Sequence, residues 1–294
     1  MKGDFLFMKS LCIKTNDSKV LNCILEQLEL LSIDNICISK KTFRYYNNLI
    51  IHYTGTNISK FYNYICDILL NVIIIIYEQR KLKELININY FYFSEFEKTS
   101  ILNNCCTLLS SDLLQREDCN NLIYVELLKY IINNKAIYLD GFVNFRIYKY
   151  LNALDEIVDT SVNSFIIERE YNEFINLLKI YINSKDSVTP LLHLIYMNNE
   201  STLIDENKNI VSINENILNT TYLSDISFSS NDFALNTLLS LLPQKVIIHI
   251  IDSEDEFINT LKLIFGNRVS ICTDCSICSI YKSLSSAIFP KIQK

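Results

Sequence analysis

The stretch from Leu139 to Ile182 constrains the fold more than any other part of the sequence, because almost nothing in it interrupts a helix. Gly141 stands near its start, and the next breaker is Pro190. The pattern predicts one very long helix of roughly 60 Å, or two helices that meet near Glu168–Glu170. Apolar residues recur along the stretch at helical spacing: Ile147, Leu151, Leu154, Val158, Val162, Phe165, Tyr171, Phe174, Leu178 and Tyr181.

The composition is typical of a folded protein made of long regular elements. Of the 294 residues, 49% are hydrophobic and 12% are aromatic, which is enough to fill real cores. Only four Gly and three Pro are present, so tight loops are few. The length alone indicates about two domains, and the patterns along the chain divide it into three. We therefore expect a mixed fold, α+β or α/β, with a central helical block.

Residues 1–93 predict an N-terminal ferredoxin-like βαββαβ domain with both helices on one face of the sheet. Two strands are joined at Asn47-Asn48, a pair that tolerates the positive φ of a tight hairpin. The last strand is assigned to Ile86–Phe93, which is rich in β-forming residues. The other predicted elements are strands over Phe5–Ile13, Ile36–Tyr46 and Leu49–Tyr53 and helices over Asp17–Leu31 and Asn57–Leu85.

Residues 94–186 predict a helical domain that contains the long stretch described above. Ser94 and Glu97 have the spacing of a capping box, which starts a helix that runs to about Leu109. A second helix is predicted over Glu117–Ile132, and Asp140 is the predicted N-cap of the long helix. The residues of the second helix expected to face the core are Leu122, Val125, Leu128 and Ile132.

Residues 187–294 predict a C-terminal α/β domain. One helix ends at Pro243, and the next opens at a capping box of Ser253 and Glu256 and stops at Gly266. The closing strand–helix–strand segment is long enough for a parallel crossover. The predicted strands are Leu191–Met197, Ser201–Asp205, Ile210–Ile213, Lys245–Ile251 and Arg268–Cys272, and the first predicted helix is Asp232–Leu242.

Charge and cysteine content restrict the partners and the compartment. The net charge is −6 and no long basic run offsets it, so nucleic acid is not an expected partner. Ten Cys, together with an N-terminus that lacks the apolar core of a signal peptide, predict a reducing, cytoplasmic location. The most membrane-like run, Ile68–Tyr77, is shorter than the about 20 residues that cross a bilayer, so no membrane span is expected.

Four segments resemble the YtxC-like family, which comprises sporulation proteins of endospore-forming bacteria. They are LDGFVNFR at Leu139–Arg146, EYNEFINLLKIYI at Glu170–Ile182, PQKVIIHI at Pro243–Ile250 and FGNRVSICTDCSIC at Phe265–Cys278. The resemblance implies a setting in sporulation and no particular biochemical activity. In the family an acidic residue tends to precede the tyrosine found here at position 150, whereas this chain has Lys149.

The segment Leu139–Arg146 is the most specific part of that resemblance, and we interpret it as a structural or interaction motif. Its candidate residues are Asp140, Gly141, Phe142, Phe145 and Arg146. Phe142 and Phe145 lie three residues apart, so we expect both to be buried on one helix face. Gly141 allows a close approach of the backbone to a neighbour, and Arg146 is predicted to pair with a carboxylate.

The sharpest chemical signal is the C-x2-C-x2-C motif of Cys272, Cys275 and Cys278. Thiolates spaced by two residues can bind Zn²⁺ or an iron–sulfur centre, provided that the chain turns at Thr273-Asp274 or Ser276-Ile277. The alternative is a set of reduced, dispersed thiols at the end of a strand. A structural zinc site needs a fourth ligand, for which the candidates are Cys105, Cys106, Cys119 and His249.

No motif for catalysis or nucleotide binding is present, so we expect a non-enzymatic protein without an obligatory cofactor. The leading hypothesis is a cytoplasmic interaction or regulatory protein of sporulation whose partners are other proteins. The alternative is a metal-binding or redox-sensing protein that uses the three cysteines. The carboxylates of Asp252, Glu254 and Asp255 follow a strand and can either cap a helix or support hydrolytic chemistry.

Overall fold

The computed structural model describes residues 8–30, 34–111, 113–211 and 229–288. The chain divides into two units, Met1–Ile167 and Glu168–Lys294. The predicted mixture of α and β structure is confirmed, and so is the very long helix. The division into domains 1–93, 94–186 and 187–294 stays a prediction.

A four-stranded sheet in the first unit has the order β2-β3-β1-β4. Its central strands β1 and β3 are antiparallel, β2 is antiparallel to β3, and β4 is parallel to β1. Buried apolar residues of β1 and β3 alternate with half-exposed ones, so the core covers one face of these strands. The strands are β1 (Lys9–Thr15), β2 (Ile36–Thr42), β3 (Asn47–Tyr53) and β4 (Ala136–Tyr138).

Three details of the predicted ferredoxin-like unit are wrong, and the first is that the edge strand β4 is parallel to β1, whereas the last strand of such a unit is antiparallel to the first. Residues of Ile86–Phe93 do not form its last strand, because Leu82 and Ile86 lie one helical turn apart and are buried on the same side of a helix. The strand that occupies this edge of the sheet is β4, more than forty residues later. The hairpin turn lies before Asn47-Asn48, where Phe43 N donates to Tyr46 O at 2.9 Å. The asparagines themselves begin β3.

A long helical segment covers this sheet and changes its winding halfway. It consists of α2 (Ile58–Val72), a π-helical segment (Ile73–Glu78) and α3 (Gln79–Asn89). Val72, Tyr77 and Leu82 are buried at steps of five residues, which is wider than an α-helical turn. The segment Ile58–Asn89 has the length and apolar composition of a membrane span, although one face of it is buried in the core of this unit. Cytoplasmic location stays a prediction.

The other helices of the first unit are α1 (Ser18–Leu30), α4 (Glu95–Ser111), α5 (Leu113–Asn133) and α6 (Leu139–Phe145). The predicted capping box of α4 is confirmed, because Ser94 N donates to the Glu97 carboxylate at 2.8 Å and Glu97 N donates to Ser94 Oγ at 3.4 Å. The predicted core face of α5 is half right, because Leu122 and Leu128 are partly buried against the core. Val125 and Ile132 are more than half exposed, and apolar residues on several faces of this helix concealed the phase from the sequence. The buried residues are Cys119, Ile123, Leu127 and Ile131.

The long helix α7 spans Tyr148–Ser184 without a break at Glu168–Glu170. The break predicted within the stretch occurs earlier, between α6 and α7. Asp140 is therefore not the N-cap of the long helix; it lies inside α6, whose N-cap position is Tyr138. Of the predicted positions, Ile147 is buried just before α7, and Leu154, Val158 and Val162 are buried in its first half. The second half buries Ile175 and Ile182 and leaves Phe174 exposed.

A second four-stranded sheet, in the second unit, has the order β6-β5-β7-β8. The strands are β5 (Leu191–Met197), β6 (Glu200–Ile204), β7 (Lys245–Ile250) and β8 (Val269–Cys272). β5 and β6 form the predicted hairpin, in which Asn198 and Asn199 adopt positive φ angles of 53° and 62°. The predicted crossover is also confirmed, since β7 is parallel to β8. Of the strand predicted at Ile210–Ile213, Ile210 forms an isolated bridge to Ile204, and residues 212–213 lie outside the described residues.

The helices of this unit are α8 (Ser230–Leu241), α9 (Glu256–Phe265) and α10 (Ser276–Ile288). The predicted stop of α9 is confirmed, because Gly266 has a φ of 52°. Its predicted start is wrong: Asp255, rather than Ser253, is the N-cap and accepts from Ile258 N at 3.2 Å. Helices α8 and α9 pack on one face of the sheet in a large apolar cluster, whereas α10 packs on the other face over a small one.

Candidate metal centre

Two side chains of the candidate centre come from neighbouring strands. In the parallel register of β7 and β8, His249 lies opposite Cys272. Paired residues of adjacent strands point to the same side of a sheet, so both side chains face the side that carries α10. His249 is buried, with 2% of its surface exposed, and is one of few polar residues so enclosed among the described residues of this unit.

Two further side chains come from the turn and helix that follow β8. The chain bends at Thr273–Cys275 and enters α10 at Ser276. Two contacts stabilise the bend: Lys282 Nζ donates to Thr273 O at 2.7 Å, and Ser279 N donates to Cys275 O at 2.9 Å. The turn required at Thr273-Asp274 for a metal site is therefore present. It brings Cys275 and Cys278 back toward the end of β8.

The four candidate ligand atoms lie within 4.8 Å of one another. His249 Nδ1 is 3.4 Å from the sulfur of Cys275 and 3.4 Å from that of Cys278. Cys278 Sγ is 3.6 Å from Cys275 Sγ and 3.9 Å from Cys272 Sγ. Tetrahedral bonds to Zn²⁺ of about 2.3 Å for sulfur and about 2.0 Å for nitrogen place ligand atoms roughly 3.5–3.8 Å apart. The residues present therefore fit a single tetrahedral ion.

This spacing favours zinc over a multi-iron cluster. The thiolates of a cluster bind different iron atoms and consequently lie farther apart than thiolates that share one ion. A mixed set of three thiolates and one imidazole in tetrahedral arrangement is typical of structural zinc. Of the fourth-ligand candidates, His249 is the one at the centre. Cys105 and Cys106 lie in α4 and Cys119 lies in α5, and all three have free thiols.

The thiols of Cys275 and Cys278 differ in acidity because of their positions. Burial opposes ionisation of Cys275, but the N–H groups of Cys278 and Ile277 and the neighbouring cysteine side chains outweigh it and lower the pKa of its thiol. Cys275 precedes the first turn of α10, where free backbone N–H groups favour negative charge. Burial raises the pKa of Cys278 to about 11. A cation bound among the sulfurs would replace the proton of this second thiol.

A second histidine lies behind the first. His193 Nδ1 is 2.9 Å from His249 Nε2, and the two rings stack with centroids 5.1 Å apart. Burial lowers the pKa of both imidazoles, which favours the neutral form that binds metals. Sequence reasoning missed this pair. The sequence contains one histidine in each of two apolar segments, which form the adjacent strands β5 and β7. Only the register of these strands shows that the two histidines are in contact.

The motif at Leu139–Arg146 lies in the first unit and takes no part in the metal centre. Asp140 accepts hydrogen bonds from Tyr77 Oη at 2.7 Å and from Thr15 Oγ1 at 3.1 Å, which connects α6 to the π-helical segment and to β1. A Cβ at Gly141 would lie 2.9 Å from a ring carbon of Tyr138, so the expected close approach is present. Asp140 therefore contacts two neighbouring elements of the first unit.

The structure corrects two predictions about this motif. Phe142 is buried and packs edge-on against Tyr130, but Phe145 is 80% exposed. The buried face of α6 is defined by Leu139, Phe142 and Val143, and Phe145 lies more than a quarter turn from its centre. The partner of Arg146 in the described part of the chain is the ring of Tyr130, 5.6 Å from the guanidinium carbon, rather than a carboxylate.

The carboxylates after β7 have structural partners. Asp252 accepts from Asn198 N at 2.9 Å, Glu254 forms an ion pair with Lys262, and Asp255 caps α9 while accepting from Tyr196 Oη. The predicted capping is thus present for Asp255, while Asp252 binds the β5–β6 turn and Glu254 binds a lysine.

Comparison with known proteins gives a family and no established activity. The sequence profile of the YtxC-like family matches residues 63–270. That range includes His193 and His249 and ends before the three cysteines of the centre. The chain is 21% identical over 150 residues to "Uncharacterized protein YtxC" of Bacillus subtilis (strain 168), a match that covers 50% of this chain and 52% of the relative. No solved structure matches the chain. Because the family profile matches well over half of the residues of this chain, the chain belongs to the YtxC-like family.

Proposed function

We propose that the protein binds one Zn²⁺ ion through His249, Cys272, Cys275 and Cys278 and that the ion has a structural role. The observation that carries the proposal is the convergence of one imidazole nitrogen and three sulfurs within 4.8 Å. Four protein ligands complete a tetrahedral shell and leave no position for a substrate or a reactive water. An ion held in this way would be structural rather than catalytic, which agrees with the non-enzymatic function that we propose.

The ion would hold α10 on the sheet. The apolar cluster beneath α10 is small, and its buried members are Ile195, Ile204, Ile251 and Cys278. Two of the four ligands belong to the sheet side and two to the turn and helix, so one ion would link both. Zn²⁺ binding contributes directly to folding free energy where the apolar core alone is insufficient. Metal removal should therefore release α10 before the rest of this unit unfolds.

Zinc content provides the test of this proposal. We expect about one zinc ion per chain after anaerobic purification, and loss of that zinc in Cys275→Ser, because three ligands hold the ion much more weakly than four. Cys37→Ser is the matched control, since Cys37 is an exposed free thiol on β2. Elemental analysis and thermal melting measure both effects.

Substoichiometric zinc in the wild-type protein, with equal melting temperatures for all three proteins, would contradict the proposal. Stoichiometric iron in place of zinc would support the four-residue metal site but show that the bound ion is iron.

The cellular setting is part of the same proposal. We place the protein in the cytoplasm of sporulating cells, where it acts on other proteins as an interaction or regulatory factor. The support for sporulation is the family resemblance alone, and the support for a reducing compartment is the set of free thiols. Affinity purification from sporulating cells, with zinc-loaded protein and Cys275→Ser as parallel baits, is the test.

A further inference from the structure

His193 and His249 are diagonal neighbours on one face of the second sheet. In the parallel register of β5 and β7, His193 lies opposite Ile247 and His249 lies opposite Ile195. The two histidines therefore lie on the same face of the sheet, two residues apart along the strand direction. Their rings stack at an interplanar angle of 21°, and His193 Nδ1 lies 2.9 Å from His249 Nε2. This distance is that of a hydrogen bond between ring nitrogens.

A hydrogen bond at Nε2 determines what the opposite nitrogen of His249 can do. A neutral imidazole carries one ring proton. If that proton is on Nδ1 of His249, it points at the sulfurs of Cys275 and Cys278, each 3.4 Å away, and blocks metal binding. If it is on Nε2, the lone pair of Nδ1 faces those sulfurs. An acceptor at Nε2 selects the second form.

From this geometry, and on the basis of the proposed zinc function, we infer that His193 is a positioning residue for the metal centre. Its Nδ1 accepts the Nε2–H of His249, which fixes the tautomer and the ring orientation of the ligand. His193 consequently carries its own proton on Nε2. The ring of His193 is half-exposed, and none of its atoms belongs to the four-ligand group around the proposed ion.

Simple packing is the competing explanation, because stacked rings also fill space. Two substitutions distinguish the explanations. His193→Phe keeps a flat ring of similar size and removes the acceptor. His193→Gln loses the ring and restores an acceptor, the side-chain carbonyl oxygen. His52→Phe is the matched control, since His52 lies in the first unit and contacts Ser10 Oγ through Nδ1 at 2.7 Å.

The principal measurement is zinc affinity by competition with a chromogenic chelator. We expect His193→Phe to weaken Zn²⁺ binding by about 10–100-fold, the usual effect of losing the hydrogen-bond partner of a ligand histidine. His193→Gln should remain within a few-fold of wild type, and His52→Phe should be unchanged. Equal affinity in His193→Phe and wild type would overturn the inference. Equal weakening in His193→Phe and His193→Gln would also overturn it, in favour of packing.

A second measurement needs no substitution. Long-range ¹⁵N–¹H correlation of the zinc-loaded wild-type protein should show His249 protonated on Nε2 and His193 also protonated on Nε2. A proton on Nδ1 of His193 would overturn the inference even if a variant failed to fold. Different results would contradict the two proposals. If the wild-type protein binds no zinc, the proposed zinc-binding function is wrong. If the wild-type protein binds zinc and substitution of His193 does not change the affinity, only the positioning role of His193 is wrong.

Discussion

At the scale of single residues, Phe142 and Phe145 show how far a sequence pattern reaches. Their spacing of three residues predicts a shared helix face. In a helix of seven residues, however, the orientation of that face depends on which other side chains are buried. Leu139 and Val143 rotate the buried face toward Phe142 and away from Phe145. The pattern therefore gave the helix but not the outward position of its second phenylalanine.

The two phenylalanines provide a matched pair for a stability measurement. Phe142→Ala should lower the free energy of unfolding by about 3–5 kcal/mol, because a fully buried ring is removed. Phe145→Ala should change it by no more than about 0.5 kcal/mol, since the ring is mostly in water. Chemical denaturation of both variants is the measurement. Similar losses for the two would show that Phe145 is buried after all.

The metal centre was predictable in part. The spacing of Cys272, Cys275 and Cys278 identified three ligands. His249 was one of four candidates for the last position, because a ligand from another strand depends on sheet register rather than on local spacing. The role of His193 depends on two registers, that of β5 with β7 and that of β7 with β8. No local pattern could identify it.

At the scale of elements, prediction succeeded where local signals are strong. The hairpin β5–β6, the strand β7 and the stop of α9 at Gly266 depend on turn residues and apolar runs within a few positions. Prediction failed for β4, a strand of three residues that is too short to show a period. It also failed for the π-helical segment, whose steps of five residues match neither regular pattern.

Capping of α9 provides a test at this scale. Asp255→Ala should destabilise the protein by about 1–2 kcal/mol, because Ile258 N and Tyr196 Oη both lose their acceptor. Ser253→Ala should change stability by less than about 0.5 kcal/mol, since Ser253 is exposed and precedes the cap. Thermal melting in the presence of zinc compares the two. A larger loss for Ser253→Ala would restore the capping box predicted from the sequence.

At the scale of the whole molecule, the core of the first unit argues against independent folding of residues 1–93. One apolar cluster includes residues from Leu11 to Val162. It joins the sheet to α4, α5, α6 and the first half of α7. A chain cut at residue 93 would lack β4 and leave the buried face of α2 partly in water, a loss larger than the margin of stability of most domains.

Fragments test that argument directly. Residues 1–167 should give a cooperative thermal transition followed by far-UV circular dichroism, because they retain the whole cluster. Residues 1–93 should give none. The longer fragment is the control for the shorter one. A cooperative transition in residues 1–93 would support the domain boundary predicted from the sequence.

The pairing of β1 with β4 has a consequence for synthesis on the ribosome. About 85 residues separate Tyr53, the end of β3, from Tyr138, the end of β4. At about 5–20 residues per second, translation takes roughly 4–17 s to cover that distance. During this interval β1 has a partner on one side and an open edge on the other, and an open edge can pair with another nascent chain. Slow codons between these strands would thus lower the yield of folded protein more than the same delay elsewhere in the unit. A chaperone bound over the same interval would raise that yield.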